Sequence, residues 1–520
     1  MIDGLLKTPE TYLFNSDRIE ERCIILDSVN LAKKQWSDAF AVPFFSPLRS
    51  KTKIMMKAQT FCLSILCCFT CCLFSIGDDS AKRPNILLIM VDDMGIGDLA
   101  CYGAPDTKSP RLDRLATEGL QFSAFRANSS VCSPSRAAML AGVFCDRTGV
   151  QGVLRTEHET KNSWGWLRPE LDTIGELLQK DGYHTALVGK WHVGMETPNH
   201  PNDRGFTLFK GFQCGMLDDY YTHLRCGVNP LRHNRESTTA QGHITDVFTD
   251  WACDFLRNQA KESAPFFLWL SYNAPHCPIH PAPQWVERVK RRDPSISDPR
   301  LSYLALIEHL DDAIGRVLDT LDSIGRADNT IVVFVSDNGG VPHFGGRIGD
   351  YRGQKGDMFD GGLLVPCLVR WPRRIAPQSR SDAKGTLMDL FPTFVEAANC
   401  RIKPRQDIDG VSLLPLLTGK AKTLPERELF FLRREGYNLY FGSTIEALIS
   451  GDWKLVHNTP QVPLMLFNLK DDPYEKTDLV KQQKEEFARM RQALQEHIQR
   501  TGLTPWQPPK GHVLEPSWDK

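Results

Sequence analysis

The stretch PNILLIMVDD, residues 84–93, decides the fold class of this chain. The run from Asn85 to Val91 is apolar after its first residue, and two aspartates follow it directly. A short, continuous apolar run of this kind predicts a strand that is buried on both faces of a sheet. Such strands belong to sheets that helices cover on both sides.

The same kind of run recurs along the chain, and helical patterns lie between the runs. The further predicted strands are His184–Val188, Phe266–Tyr272, Thr330–Val335 and Leu363–Val369. Between Leu301 and Leu321, branched apolar residues recur every three or four positions, which predicts a long amphipathic helix. This alternation predicts an α/β fold in which helices cover a central sheet.

The composition is that of a globular protein without a strong charge bias. The 520 residues include 62 basic and 63 acidic side chains, a formal net charge of −1, and 41% are hydrophobic. Nucleic-acid-binding proteins usually carry a basic excess, so no nucleic-acid partner is expected. The apolar content predicts a large core.

The pattern changes near residue 425. Proline and charged residues accumulate at 419–427, shorter alternating stretches follow, and a helical run covers 485–499. We therefore predict a main domain over residues 78–424 and a smaller C-terminal α+β domain over residues 425–520.

The first part of the chain has the pattern of a targeting segment. Residues 56–77 carry a lysine and then an apolar run that is shorter than the roughly 20 residues of a membrane span. This pattern predicts a signal peptide and an exported protein, periplasmic, secreted or in a lysosome-like lumen, with no stable membrane span. Residues 1–55 allow two interpretations, a wrong start before Met55 or Met56, which we favour, or the cytoplasmic tail of a signal anchor.

Cysteine usage leaves the disulfide pattern open. Of 15 cysteines, nine follow residue 80, and eight of these can pair in an oxidising compartment if Cys132 is reserved. Their irregular spacing fixes no connectivity, and some are expected to be free core thiols. None forms a CxxC pair, which argues against a zinc ribbon.

Polar residues directly follow four of the predicted strands. The four segments are Asp92-Asp93, Gly189-Lys190-Trp191-His192, Asn273-Ala274-Pro275-His276 and Asp337-Asn338. In open α/β sheets, ligands bind at the carboxyl ends of the strands. We therefore expect these segments at one edge of the sheet.

Three carboxylates and one amide at these strand ends suggest a metal site. A lone Asp-Asp pair is more often a solvated turn or a helix N-cap, but Asp337 and Asn338 repeat the arrangement of Asp92 and Asp93. Adjacent carboxylates repel unless a cation or a proton intervenes. An oxygen-only ligand set suits Ca²⁺ or Mg²⁺ better than zinc or copper.

The segment CSPSRAAMLAG, residues 132–142, predicts an anion site at the start of a helix. Ser133 is a candidate N-cap, Pro134 suits the first turn, and Cys132 then lies at the helix N-terminus. The free backbone N–H groups there favour an anion, and the guanidinium of Arg136 binds oxyanions. The plainer interpretations are a buried thiol for Cys132 and an exposed charge for Arg136.

Four more polar residues are candidates with equally plain alternatives. Lys190 and His192 lie two residues apart at a strand end, where a surface lysine and a buried core histidine are the alternatives. Packing alone would also explain His276. Lys355 lies in the glycine-rich segment YRGQKGDMFDGG, where turn formation is the simpler reason for the glycines.

Together these segments resemble the type I sulfatase family. CSPSRAAMLAG matches the signature Cys-x-Pro-Ser-Arg-x-x-x-Leu-x-Gly, and other segments resemble family segments in family order over about residues 84–480. These segments are NILLIMVDDMGIGDLACYG, GYHTALVGKWHVG, EHLDDAIGRVLDTL, NTIVVFVSDNGG, YRGQKGDMFDGG, GDWKL and LFNLKDDPYE.

The resemblance implies an arylsulfatase-like enzyme with an alkaline-phosphatase-like fold. A mixed sheet between helices would form the catalytic domain, with an antiparallel sheet in the smaller domain. Cys132 would be oxidised to Cα-formylglycine by a maturation enzyme, and its hydrate would attack the sulfur of a sulfate ester through a sulfo-enzyme intermediate. The implied catalytic residues are Cys132, Arg136, Lys190, His192, His276 and Lys355. The implied ligands of one divalent cation, usually Ca²⁺, are Asp92, Asp93, Cys132, Asp337 and Asn338.

The substrate expected from the family is a sulfated small molecule or polysaccharide, most often a carbohydrate. The segments between Gly194 and Asp246 and around 347–352 are expected to shape its pocket. Leu364 stands where the family often has an arginine, which affects loop packing and not the proposed catalytic set. The alternatives are a phosphoester hydrolase of the same superfamily and a sulfatase-fold binding protein without turnover.

Overall fold

The computed structural model of the chain describes residues 83–155, 165–435 and 440–507. The predicted signal peptide, the upstream segment 1–55 and the C-terminal residues after 507 lie outside these ranges. Strands in the described residues are β1 (Asn85–Val91), β2 (Leu120–Phe122), β3 (His184–Lys190), β4 (Leu208–Phe212), β5 (Leu231–His233), β6 (Glu236–Ser237), β7 (Phe266–Ser271), β8 (Thr330–Ser336), β9 (Cys367–Arg370), β10 (Ser379–Ser381), β11 (Glu428–Arg434), β12 (Thr444–Ser450), β13 (Trp453–His457) and β14 (Met465–Asn468).

The α-helices alternate with these strands. They are α1 (Pro110–Thr117), α2 (Cys132–Ala141), α3 (Cys145–Thr148), α4 (Ile174–Lys180), α5 (Ile244–Gln259), α6 (Pro283–Arg292), α7 (Arg300–Ser323), α8 (Asp360–Leu363), α9 (Leu390–Ala397), α10 (Leu414–Leu417) and α11 (Lys484–Thr501). Short 3₁₀ turns occur at Ile96–Asp98, Ala100–Tyr102, Ala327–Asn329, Pro342–Phe344 and Leu387–Asp389. None of the described helices is both long and apolar enough to cross a membrane.

Ten of the described strands form one mixed sheet, in the order β10-β2-β9-β8-β1-β7-β3-β4-β5-β6. The five strands from β8 to β4 run parallel, and β1 lies between β8 and β7. The neighbours β9 and β5 run antiparallel to them on either side. The parallel run brings the carboxyl ends of β8, β1, β7 and β3 together at one edge.

Helices cover both faces of this sheet, as predicted. Every residue of β1 is buried, and alternate residues face opposite sides. Leu88 packs in a core with side chains of α2, α4 and α9, whereas Leu87 packs in a second core with side chains of α1, α5 and α7. This two-sided burial explains why the strand is apolar without alternation.

One predicted strand begins too early. The sequence indicates a strand over Leu363–Val369, but β9 starts at Cys367, and Leu363 closes the single turn of α8. Gly362 lies too close to the carbonyl oxygen of Asp357 for a side chain, at 2.2 Å from an added Cβ atom. The apolar residues before β9 are therefore buried in a turn, and apolar character alone does not separate the two cases.

The C-terminal region forms a second, antiparallel sheet, β11-β12-β13-β14, as the fold resemblance implies. Met490 and Leu494 of α11 pack in its core. The helix prediction for 485–499 is confirmed within two residues at each end.

A buried charge cluster joins the catalytic part of the chain to this second sheet. It consists of Arg126, Asp360, Lys454 and Glu475, whose side chains are at most 5% exposed. The Lys454 ammonium lies 2.6 Å from Asp360 Oδ1 and 2.8 Å from Glu475 Oε1. Arg126 donates to Asp360 from Nε at 3.1 Å and from Nη2 at 2.5 Å. Leu364, where the family often has arginine, is buried beside this cluster, with its backbone paired to that of Arg126.

The nine cysteines of the described residues are all free thiols. The disulfide pairing that the sequence allows is therefore not formed, and the alternative of free core thiols holds. Cys145 and Cys367 are buried, and burial raises the pKa of both thiols.

Candidate active site

The four polar strand ends meet at one edge of the parallel strands. The Asp92 backbone N–H donates to the Ala274 carbonyl at 3.2 Å, and the Asp337 N–H donates to the Val91 carbonyl at 3.2 Å. Reactive oxygen or sulfur atoms of Asp92, Cys132 and Asp337 lie within 4.8 Å of one another. The fold therefore brings together the residues that the sequence places at strand ends. Cys132, at the start of α2, lies beside them.

Cys132 is the first residue of α2, so its predicted position at a helix N-terminus is confirmed. The predicted N-cap is wrong, because Val131 precedes the helix and no side chain caps it. The Ser133 hydroxyl instead accepts a hydrogen bond from the Leu154 N–H at 3.1 Å. Burial raises the pKa of the Cys132 thiol, against the lowering effect of Lys190 and Lys355. A protonated thiol is a poor nucleophile.

Arg136 lies one turn into α2 and is fully buried, so an exposed helix charge is excluded. Its Nε donates to Asp337 Oδ2 at 2.8 Å, and its Nη1 donates to Ser271 Oγ at 2.7 Å. Nη2 is buried and has no hydrogen-bond partner among the described residues. With a further hydrogen bond from Nη1 to the Lys190 carbonyl at 3.1 Å, three contacts fix the side chain, and Nη2 is left for another group.

Two lysines pair with the two aspartates that follow β1. Lys190 Nζ lies 2.5 Å from Asp92 Oδ2, and both side chains are fully buried. Lys355 Nζ lies 2.6 Å from Asp93 Oδ1 and 2.8 Å from Asp93 Oδ2. Burial alone would raise the pKa of each aspartate, but the lysine charges hold both below the usual value. Lys190 is therefore not the surface residue that the plainer interpretation assumed.

Gly189, directly before Lys190, allows β3 to approach β7 closely. Its φ angle is +109°, and an added Cβ would lie 1.9 Å from the Ser271 carbonyl oxygen of the next strand. Only glycine fits this close approach between β3 and β7. Asp93 and His192, at φ angles of +67° and +60°, also adopt the left-handed conformation that residues with side chains rarely take.

His192 is held by a backbone carbonyl. Its Nε2 lies 2.7 Å from the Leu154 oxygen, and because a carbonyl only accepts, Nε2 carries the proton. Nδ1 is then an unprotonated acceptor, and it has no partner in the described part of the chain. Burial, followed by the charge of Lys190, lowers the pKa of His192, which keeps the ring neutral.

His276 is fixed in the opposite way. Its Nδ1 donates to the Cys277 carbonyl at 2.6 Å, and its Nε2 lies 3.6 Å from Asp93 Oδ2. Tyr220 donates to the His276 carbonyl at 2.8 Å and supports the loop from below. Burial and the charge of Lys355 lower the pKa of His276.

The acidic edge has the features of a cation site. Asp92 Oδ1 and Asn338 Oδ1 are buried oxygens without a hydrogen-bond partner among the described residues. Asn338 donates from Nδ2 to Asp93 Oδ1 at 2.8 Å, which leaves its own oxygen as the available ligand. Burial, followed by the charge of the neighbouring Asp92, raises the pKa of Asp337. Oxygen donors of this kind fit a hard divalent cation.

A cavity of about 460 Å³ opens onto this edge. Cys132, His192, His276 and Lys355 line one part of it, so four of the predicted catalytic residues share one pocket. The segment between Gly194 and Asp246 contributes Gly215, Met216 and Arg225, as expected, whereas the segment around 347–352 does not line the cavity.

Several residues of the site were not identified from the sequence. Arg155, Arg225 and Arg433 line the cavity, and no local pattern marks them. The Leu154 carbonyl that orients His192 is a backbone group and leaves no trace in the side-chain pattern. Ser271, which supports Arg136, is the last residue of β7 but lies inside the predicted strand Phe266–Tyr272, so the strand-end rule did not select it.

Comparison with known proteins identifies the chain. The family model described as Sulfatase matches residues 84–400, and the model described as N-sulphoglucosamine sulphohydrolase, C-terminal, matches residues 351–502. The chain belongs to the sulfatase family. The type I sulfatase resemblance is thereby confirmed, and the protein is a sulfuric-ester hydrolase by family.

Individual sulfatases match over most of their length. The chain is 32% identical to N-acetylgalactosamine-6-sulfatase of Rattus norvegicus over 395 residues, which cover 72% of this chain and 71% of the relative. It is 30% identical to arylsulfatase G of the same organism, with 78% and 85% covered. The crystal structure of Ps i-CgsB in complex with k-i-k-neocarrahexaose has a TM-score of 0.74 at 28% identity, covering 82% of this chain and 94% of that one. The predicted alkaline-phosphatase-like fold with a smaller antiparallel sheet is thereby confirmed.

Proposed function

We propose that this sulfatase hydrolyses a sulfate ester of a carbohydrate to an alcohol and inorganic sulfate. The observation that carries the proposal is the buried centre in which Cys132 shares one site with Asp92 and Asp337, within 4.8 Å. Support for a carbohydrate substrate comes from the names of the relatives, which include an N-acetylgalactosamine-6-sulfatase and a structure with bound neocarrahexaose. The cavity volume of about 460 Å³ is in the range that accommodates small ligands.

Residue 132 acts in this proposal as formylglycine, made from Cys132 by a maturation enzyme. The hydrated aldehyde carries two hydroxyl groups on one carbon. One hydroxyl oxygen attacks the sulfur, the bond from sulfur to the alcohol oxygen breaks, and the alcohol leaves with a proton. The second hydroxyl then loses its proton, the carbonyl re-forms, and the bond from carbon to the sulfated oxygen breaks to release sulfate. Addition of one water to the aldehyde restores the diol. A thiol or a serine hydroxyl lacks this second heteroatom.

Different side chains transfer protons and stabilise the negative charge of the sulfate. Nδ1 of His192 is the acceptor that takes the proton of the second hydroxyl, because Nε2–H is occupied by the Leu154 carbonyl. Asp93 keeps Lys355 in the ammonium form, because the carboxylate charge outweighs burial and raises the lysine pKa. Lys355 therefore has a proton for the leaving oxygen, with His276 beside it in the cavity, and Lys190 and Arg136 hold the diol and the sulfate oxygens.

A divalent cation, Ca²⁺ by family frequency, completes the site. Asp92, Asp93, Asp337 and Asn338 would hold it together with an oxygen of the modified residue 132. When bound, it supplies positive charge toward the sulfate oxygens. The three carboxylates already balance Lys190, Lys355 and Arg136 in charge, so a bound divalent cation leaves a net positive site that suits an anionic ester.

Two measurements on the mature protein test the proposal. The first is the hydrolysis of aryl sulfate and aryl phosphate side by side, with Cys132→Ala as the inactive control. The second is the mass of the peptide that contains residue 132, which falls when the thiol becomes an aldehyde. We expect a large preference for sulfate and the lower mass. A preference for phosphate would identify a phosphoester hydrolase, no turnover by the modified protein would identify a binding protein, and wild-type turnover by Cys132→Ala would refute the mechanism.

We also propose that the protein is exported through the signal peptide at residues 56–77. Peptide mapping of the secreted protein tests this, since the first peptides should begin after residue 77. Peptides from residues 1–50 in that material would contradict the favoured start at Met55 or Met56.

A further inference from the structure

Three arginines outside the proposed catalytic set line the cavity. Arg155, Arg225 and Arg433 come from three separate parts of the chain, and their side chains are 23%, 13% and 11% exposed. The described residues that line the cavity include no aspartate or glutamate. Positive side chains therefore dominate the lining, and the carboxylate partners of the arginines, Glu435 and Asp218, are not among the lining residues.

Arg433 reaches the cavity from β11 of the second sheet and is held on several sides. Its Nε lies 3.3 Å from Glu435 Oε1, and its Nη1 donates to the Gly356 carbonyl at 3.0 Å. The guanidinium also lies over the Tyr440 ring, 5.2 Å from the ring centre. Such fixation orients the planar group before any ligand binds, which lowers the entropic cost of binding an anion.

Arg225 lines the cavity from the long connection between β4 and β5. Its Nη1 lies 2.9 Å from Asp218 Oδ1, and Asp218 itself is 39% exposed. Burial lowers the pKa of Arg225. The guanidinium therefore lies in a largely water-excluded position on the cavity wall.

The scissile sulfate does not account for these arginines. In the proposed function it meets residue 132, Lys190, Lys355 and the bound cation, which already form a net positive centre. Guanidinium groups are strongly favoured partners of carboxylates and sulfate-like oxyanions, because planar N–H donors match two oxygens at once. The part of the cavity wall that contains these arginines fits a second anionic group on the substrate.

We propose that the substrate is a carbohydrate with a second anionic substituent, a carboxylate or another sulfate, near the sulfate ester that is cleaved. Arg225 and Arg433 bind this second group and make the enzyme selective for acidic saccharides. The inference rests on the proposed function and adds to it the chemical class of the substrate.

The test compares three saccharides that share one sulfate ester and differ in the second group, which is absent, a carboxylate or a sulfate. For the mature enzyme we expect kcat/KM to be roughly 10 to 100 times higher with a second anion, the range of a charge-assisted hydrogen bond. The carboxylate and sulfate arms decide between the two chemistries. Raising the salt concentration should lower kcat/KM more for the doubly charged saccharides than for the singly charged one.

Two variants and a matched control locate the effect. Arg225→Gln and Arg433→Gln should each reduce the preference for the doubly charged saccharide by roughly tenfold. Arg434→Gln is the control, because Arg434 neighbours Arg433 but donates to the Gly442 carbonyl at 2.8 Å and lies 4.4 Å from the Trp506 ring centre, away from the cavity. The control should keep the wild-type preference.

Equal kcat/KM for singly and doubly charged saccharides would overturn this inference, and so would an unchanged preference in both arginine variants. In either case, turnover of 4-nitrophenyl sulfate by the mature enzyme leaves the proposed function standing. If neither 4-nitrophenyl sulfate nor any of the saccharides is hydrolysed, the proposed function itself fails. The salt dependence of the wild-type enzyme tests the charge argument even if a variant does not fold.

Discussion

Replacing Lys454 by methionine should destabilise the fold strongly, because the ammonium lies between two buried carboxylates. Lys454 is fully buried on β13, 2.6 Å from Asp360 and 2.8 Å from Glu475. In the buried charge cluster, two cations balance two carboxylates. Methionine fills a similar volume but removes one positive charge, so the cluster is left with a net charge of −1 in the interior.

The magnitude follows from which carboxylate loses its partner. Asp360 keeps two hydrogen bonds from Arg126, whereas Glu475 keeps only the Asp360 N–H, 2.7 Å from its Oε2. Breaking a buried ion pair by removing one partner costs about 3–5 kcal/mol, which is our expectation for Lys454→Met. Burial and Asp360 already raise the pKa of Glu475, and loss of the lysine raises it further. Protonation of Glu475 then relieves part of the cost at low pH.

The assay is urea unfolding of the wild type and the variant at pH 8 and pH 5. At pH 8 we expect the unfolding free energy of Lys454→Met to fall by the whole of about 3–5 kcal/mol, and at pH 5 by less. The double variant Lys454→Met/Glu475→Gln should recover part of this loss at pH 8. Lys470→Met is the control, because Lys470 is exposed just after β14 and should change stability by less than about 1 kcal/mol. A loss below about 1 kcal/mol for Lys454→Met, or no recovery in the double variant, would show that the cluster does not carry this energy.

Three further predictions concern the metal, a histidine and a buried carboxylate. A chelator should lower both activity and the unfolding free energy, and Ca²⁺ at about 100 times its Kd should restore about 2.7 kcal/mol; equal unfolding curves with and without Ca²⁺ would contradict the metal assignment. His192→Asn should lower kcat by roughly 10²- to 10⁴-fold with a smaller change in KM, measured with 4-nitrophenyl sulfate, because it removes the proposed proton acceptor. Burial raises the pKa of Asp311 to about 7, so the stability it contributes is complete below about pH 4 and is lost as the pH rises toward 7. The Tm of Asp311→Asn should therefore depend less on pH between pH 4 and 7 than the Tm of the wild type. Parallel dependences of the two Tm values on pH would refute the raised pKa of Asp311.

Sequence reasoning was effective where chemistry depends on the ends of strands. Asp92 and Asp337 follow apolar runs directly, and the rule that parallel strands end at one edge is enough to bring them together. Sequence reasoning failed where the decisive contact joins residues that are far apart in the sequence. The N-cap assigned to Ser133 is wrong because its hydroxyl accepts from Leu154, a partner that only the tertiary fold provides.

The charge cluster and the arginines of the cavity wall show the same limit. Glu475 and Arg126 are 349 positions apart in the numbering yet belong to one cluster, and no spacing rule relates them. Arg433 lies in β11, where the pattern of apolar residues indicates only which side chains are buried. Long-range ion pairs have no periodicity along the chain, so their partners emerge only from the fold.

The depth of Cys132 has a consequence for the timing of maturation. The residue is 3% exposed at the first position of α2, where it lines the cavity. In the proposed function a maturation enzyme has to reach this thiol, and the folded chain exposes almost none of it. On that proposal, conversion to formylglycine would have to precede folding, and a chain that folds first would keep the thiol and lack turnover.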